Sequence, residues 1–308
     1  MTPGFVAAVA LGTVSLGCTV GRLEPPASLS PPTRPALLPG PTGHEALQQF
    51  APVIFQEREP EAADWLDRPA PLDADGSGAL ADDAAWWDRA TQPQALVPLY
   101  AQASDEAEQL FLFYGLYYPV DWSGRPDRFR VDHPGDFEGV LVIVSEANGR
   151  VEAAITQAHR VLYLWLSPQH RGSEAGSSGS LSLTSDGRPL LFAEAGGHGL
   201  YAYGNGSWRP KGGRRYPRGP AAVPRERLLC LAPKPASCAD MARVAIEIRP
   251  LAELTPFCKR VGGPFSDLRK AKPPWLWSDR YGRDGGREGA IVNAPRALYQ
   301  ALLGARRP

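Results

Sequence analysis

Charge of one sign is missing from this chain: 33 Lys and Arg offset 33 Asp and Glu over 308 residues. A balanced chain has no global field to gather nucleic acid, and nothing in its composition argues for that partner. Cysteine is scarce, at four residues, and none falls in a CxxC or zinc-ribbon spacing, which removes a thiolate metal site. The N-terminal apolar run, Phe5 to Val20, is too short to span a bilayer comfortably. No internal repeat is visible. No nucleophile elbow, P-loop or HExxH stretch occurs, which leaves most enzyme classes without support. Histidine is rare enough, at five, for each to be weighed by position. What the chain does have is 32 Gly, 32 Pro, eight Trp and ten each of Tyr and Phe, the composition of a loop-rich, strand-heavy globular protein.

The first residues read as an export signal rather than as part of the fold. The small, apolar run ends in Val14-Ser15-Leu16-Gly17-Cys18, which resembles a bacterial lipoprotein signal with Cys18 as the acylated first residue after cleavage. An ordinary cleaved secretory peptide, with Cys18 incidental, is the other reading. Residues 19–43 are Pro-rich and nearly uncharged, unable to bury themselves, and are expected to form an extended tether. The expected organisation is therefore a signal over 1–18, a tether over 19–43 and one domain over 44–308, in the cell envelope or outside the cell. In an oxidising compartment the other three cysteines allow three pairings. Cys230 with Cys238, closing a short loop through Pro233 and Pro235, is the expected one.

Within the domain, His44–Phe50 reads as a short helix and Ala51–Phe55 as an apolar stretch. Residues 57–88 are acidic and contain Asp73-Ala74-Asp75-Gly76-Ser77-Gly78. This string looks like half of a calcium loop, but Ala84 stands at the closing twelfth position, so a tight Asp-Gly turn is expected instead. Leu110–Tyr118 is apolar and aromatic without alternation, as in a strand covered on both faces. Val140–Ser145 and Val151–Ala158 flank an Asn-Gly hairpin signal. Val161–Leu166, Pro189–Ala193, Leu200–Tyr203 and Val244–Ile248 read as further strands. Residues 205–227 form a basic, Gly/Pro-rich excursion. Pro295 opens a C-terminal helix lined by Leu298, Leu302 and Leu303.

The densest chemistry lies in Asp132-His133-Pro134-Gly135-Asp136-Phe137-Glu138-Gly139, directly before the Val140–Ser145 strand. Asp136 and Glu138 are two apart, so in a strand they share one face. Carboxylates entering a sheet interior are costly unless a cation meets them, and a divalent ion beside His133 is one candidate. A polar strand-opening turn with Asp136 capping amides is the other. An antiparallel hairpin brings His159, at the end of the following strand, back toward the same place. His159 is otherwise a strand-end residue bonded to backbone. His198 sits in Gly196-Gly197-His198-Gly199, where the backbone can approach a ligand closely; otherwise it is a turn residue. His44 and His170 read as surface residues.

These segments resemble two related groups, the necrosis-and-ethylene-inducing secreted proteins of microbes and the Vps62-like family. Tyr114 to Asp121 is similar to a Tyr…Tyr-x-Pro-x-Asp segment, and His133 to Glu138 to the Gly-His-Arg-His-Asp-Trp-Glu heptapeptide of the first group. Ala158-His159 is similar to its Ala-His step, and Leu191 to Tyr201 to a Vps62-like strand followed by small residues and His. Gly135 and Phe137 depart from the heptapeptide. The resemblance implies a β-sandwich with peripheral helices. It also implies a divalent-cation site at Asp121, His133, Asp136, Glu138 and His159, with His198 as a ligand contact. Oxygen-rich ligands with one or two imidazoles suit calcium, magnesium or manganese. Three functions follow. One is a membrane-anchored module binding lipid headgroups or glycans through the cation. The second is a metal-dependent hydrolase of phosphoesters or lipids. The third is a purely structural surface lipoprotein.

Overall fold

The computed structural model describes residues 43–59, 65–77, 83–89, 96–122, 133–158, 161–170, 177–203, 225–233, 238, 241–254 and 289–304. The signal, Cys18, the tether, most of the basic excursion and Cys258 lie outside them, as does His159. Among the described residues no helix is long and apolar enough to cross a membrane.

Eleven strands dominate: β1 (Val53–Glu57), β2 (Leu96–Glu106), β3 (Gln109–Asp121), β4 (His133–Ser145), β5 (Arg150–Ala158), β6 (Val161–Leu166), β7 (Gly179–Ser180), β8 (Leu190–Ala193), β9 (Leu200–Ala202), β10 (Leu228–Ala232) and β11 (Ala242–Pro250). They form one hydrogen-bonded sheet in the order β7-β6-β5-β4-β3-β2-β11-β10-β1-β8-β9. The terminal strand β9 folds back against β4 and β5. The expected mostly-β architecture is present, but the two separate sheets of a sandwich are not what the strands form. The parallel pairs β2–β11 and β11–β10 join what would be two leaves into one curled, barrel-like sheet.

Strand β3 shows why the middle of the sheet lacks the usual polar alternation. Leu110, Leu112, Tyr114, Leu116 and Tyr118 face the enclosed core, while Phe111, Phe113 and Tyr117 face outward. Both faces are covered, so a run of apolar and aromatic residues is required. The outer cover comes from the C-terminal helices Ala290–Asn293 and Pro295–Gly304, whose Ile291, Leu298, Tyr299 and Leu302 are buried. Tyr299 meets Phe111 edge-on at 6.4 Å. Strand β4 follows the same alternation: Val140, Val142 and Val144 point inward, Phe137, Leu141 and Ile143 outward. Val140 pairs with Thr156 of β5, and the Asn148-Gly149 turn closes this hairpin with Gly149 at φ 62°. Cys230 and Cys238 form a disulfide with Cα atoms 5.6 Å apart, fastening the end of β10.

Candidate functional site

The octapeptide is not a turn ahead of a strand; β4 begins at His133. Its register on β3 sets Asp121 opposite His133, Tyr118 opposite Asp136 and Leu116 opposite Glu138. Asp136 and Glu138 fall on the inner side with Val140 and Val142, and both are buried. A run of carboxylates thus enters the core at one end of the sheet, which requires compensation.

For Asp136 the compensation comes from His198, which is fully buried. Its Nδ1 donates to Asp136 Oδ2 at 3.0 Å and its Nε2 to the carbonyl of Leu66 at 3.1 Å. A carbonyl oxygen only accepts, so Nε2 carries a proton; with Asp136 ionised Nδ1 carries one too, and the ring is an imidazolium. Asp67 adds a second negative charge, its Oδ1 lying 3.6 Å from Nε2. Burial alone would depress the His198 pKa, but the hydrogen bonds and charges of Asp136 and Asp67 outweigh it and push the value up to about 9. The ring also stacks flat on Tyr118, with centroids 3.8 Å apart and planes 3° from parallel.

The turn that carries His198 explains its placement. His198 takes a left-handed φ of 51°, and Gly196 one of 81°. A Cβ at Gly196 would sit 2.5 Å from the Trp122 carbonyl, and one at Gly199 would sit 2.7 Å from the Ala158 Cβ. The glycines therefore let the turn press against the ends of β3 and β5 and send the imidazole inward. Asp67 locks the turn from outside. It accepts from the Gly196 amide at 2.7 Å, the Trp122 indole at 3.1 Å and the Glu59 amide at 2.8 Å. Tyr118 donates to Gln56 Oε1 at 2.6 Å, and Gln56 in turn donates to the Glu194 carbonyl at 3.2 Å.

Glu138 is treated differently. Burial first, then the neighbouring charges of Asp136, Glu194 and Asp121, push its carboxyl well above the ordinary range. With its amide nitrogen turned toward the carboxylate, Gln157 of β5 donates to Glu138 Oε1 at 3.0 Å and also to Oε2. Gln157 is thus a cross-strand partner of Glu138; His159 lies outside the described residues. His133 is placed by its backbone at the start of β4; its side chain is outside the described residues too. Asp121 is half-exposed at the end of β3.

The sequence reading placed Asp136, Glu138 and His198 among the candidates. It missed Asp67, Gln56, Gln157, Tyr118 and Glu194. Gln157 stands two residues before His159, and the closure of the hairpin brings it to the Glu138 end. Asp67 sits in an irregular segment where no pattern marks it.

A second acidic group lies on the other side of the sheet. Asp73, Asp75 and Asp83 each bring one ligand atom within 4.8 Å of the others, close enough to hold a metal ion. Among the described residues, Asp121, Asp136 and Glu138 by themselves form no such group.

No family model matches the chain, and no curated protein matches it. Solved structures do. HaNLP3, a non-toxic protein, is 14% identical with a TM-score of 0.39, covering 79% of this chain and 92% of its own. Necrosis and Ethylene inducing Protein 2, from the causal agent of cocoa's witches' broom disease, is 16% identical with a TM-score of 0.32, covering 57% of this chain and 74% of its own. NLPPya in complex with glucosamine is 18% identical with a TM-score of 0.33, covering 54% of this chain and 71% of its own. The chain is similar to these proteins, and at such identities and TM-scores the likeness assigns it neither a family nor an activity.

Proposed function

We propose that the chain is an exported, membrane-anchored β-sheet protein whose acidic sheet end binds one divalent cation and, through it, a lipid headgroup or glycan. The anchor is acylated Cys18, joined by residues 19–43 to a single domain in the cell envelope. The proposed ligands are Asp121, Asp136 and Glu138, with His133 and His159 completing the set. One observation carries this reading. Around Glu138 gather the charges of Asp136, Glu194 and Asp121, an oxygen-rich set at one end of the sheet. A hard divalent ion suits such a set. His198 is then a positioning residue that would hold Asp136 through its Oδ2.

A purely structural role is favoured by a different observation. The bonds from Asp67, His198 and Gln56 already tie together the segments before β2 and around β8. Elemental analysis of purified protein, followed by titration of calcium, magnesium and manganese into wild type and Asp121→Asn, separates the two. Binding of an ion that weakens at least about tenfold in the variant supports the cation site. An absence of any ion that depends on Asp121 sinks it. With the ion bound, uptake on liposomes or glycans without turnover supports the binding module. Phosphodiester hydrolysis lost in Asp136→Asn moves the assignment to a hydrolase.

A further inference from the structure

Asp83 is fully buried at the start of the helix Asp83–Arg89. Its Oδ2 accepts from the Tyr117 hydroxyl at 2.8 Å and from the Asp73 amide at 3.2 Å. Its Oδ1 is buried and has no hydrogen-bond partner among the described residues. No basic side chain among the described residues forms an ion pair with it, and the charges nearest it are those of Asp75 and Asp73. Buried carboxylate oxygens are nearly always bonded, so an orphaned one on a carboxylate beside two more calls for a cation that the described residues do not supply.

The local sequence fits a calcium ion. Asp73, Asp75 and Ser77 occupy the first, third and fifth places of a loop whose sixth residue is Gly78, the order used by oxygen-ligand calcium loops. The closing acid absent from Ala84 is present one place earlier. Asp83, delivered by the helix rather than by the twelfth loop position, brings an oxygen within 4.8 Å of those of Asp73 and Asp75. The Ser77 amide donates to Asp75 Oδ1 at 2.9 Å, which orients that carboxylate. Ligands here are all oxygen, without histidine or cysteine, which favours a hard cation over zinc.

We propose that Asp73, Asp75 and Asp83 form a calcium site, distinct from the acidic end of β3 and β4, that fastens the Leu72–Ser77 segment and the Asp83 helix to the outer face of the sheet through Tyr117. The segment is already tied to the sheet on its other side, where the Leu72 amide donates to the Tyr100 hydroxyl at 3.0 Å. The ion completes a bridge from loop to helix to strand.

The test is calorimetric titration of calcium chloride into the full chain, stripped with chelator, for wild type, Asp75→Asn and Asp121→Asn, with thermal midpoints measured in parallel. Asp75 is exposed, so its substitution leaves the packing intact. Asp75→Asn is expected to bind this calcium at least about tenfold more weakly and to lose the calcium-induced rise in midpoint, while Asp121→Asn keeps both. Asp83→Asn is expected to behave as Asp75→Asn does. Calcium binding in Asp75→Asn that equals wild type in affinity, stoichiometry and stabilisation overturns the proposal. So does an absence of any calcium equivalent in Asp121→Asn.

Discussion

Tyr117 and Tyr118 are neighbours on β3, and each anchors a buried acidic group on its own side of the sheet. On the inner side Tyr118 stacks on His198, and the acids there, Asp136 and Asp67, meet an imidazolium held in place by the fold. On the outer side Tyr117 donates to Asp83, and among the described residues that acid meets only hydroxyl and amide donors. The same problem, charge taken out of water, therefore has two solutions a single residue apart. A built-in cation makes the inner group permanent and tied to folding. The outer group, with no such cation among the described residues, is where calcium is proposed to act.

The contrast is broken most forcefully at His198. His198→Ala leaves Asp136 and Asp67 buried without their counter-charge, a change expected to cost about 3–5 kcal/mol. Chemical denaturation of the two proteins measures it, and a loss below that of Asp83→Asn would reverse the ranking of the two sides.

The pH dependence separates the sides next. His198 has a folded pKa of about 9 against an ordinary 6.5, so its contribution is fully present below 6.5 and is lost as pH rises through 9. Asp83 is pushed by burial from an ordinary 3.8 to about 6, which gives the same sign in a lower window. Its contribution is present below 3.8 and is lost as pH rises through 6. Without calcium, and beside the fall that the raised Glu138 contributes above its ordinary 4.5, stability should therefore fall in two steps, and His198→Gln should remove the upper while Asp83→Asn removes the lower. A single step unaffected by either variant would contradict the assignment. Calcium should flatten the lower step alone.

The smallest effect sharpens the comparison. Tyr118→Phe keeps the stack on His198 but deprives Gln56 Oε1 of its donor, at an expected cost of about 1–2 kcal/mol at any calcium level. Tyr117→Phe takes a donor from Asp83, and its cost should shrink when calcium is added. Equal calcium responses in the two variants would unlink Tyr117 from the outer group.

How much of this was legible beforehand differs between the sides as well. Strands β3 to β6, the hairpin at Asn148-Gly149 and the shared face of Asp136 and Glu138 follow from periodicity and turn chemistry, which act over a few residues. The single curled sheet was not legible, because it depends on parallel pairings such as Ala245 with Leu96, made between distant segments. Strand β2 received no assignment from sequence; Pro98 lies within it, where a proline speaks against a strand. His198 was singled out for the glycines around it, yet what they permit is close approach to Trp122 and Ala158, with the ring directed into the core. At the outer group the search stopped at Ala84, since spacing within one loop cannot reveal an acid brought in by the following helix.

The claim on which the comparison stands is that a doubly protonated His198 lies against Asp136 and Asp67. Nitrogen-15 NMR of histidine-labelled protein at pH 7.5, with His198 assigned by His198→Gln, reads this directly. Protons on both Nδ1 and Nε2, retained until the pH approaches 9, are the predicted result. A neutral single tautomer at pH 7.5 would contradict it.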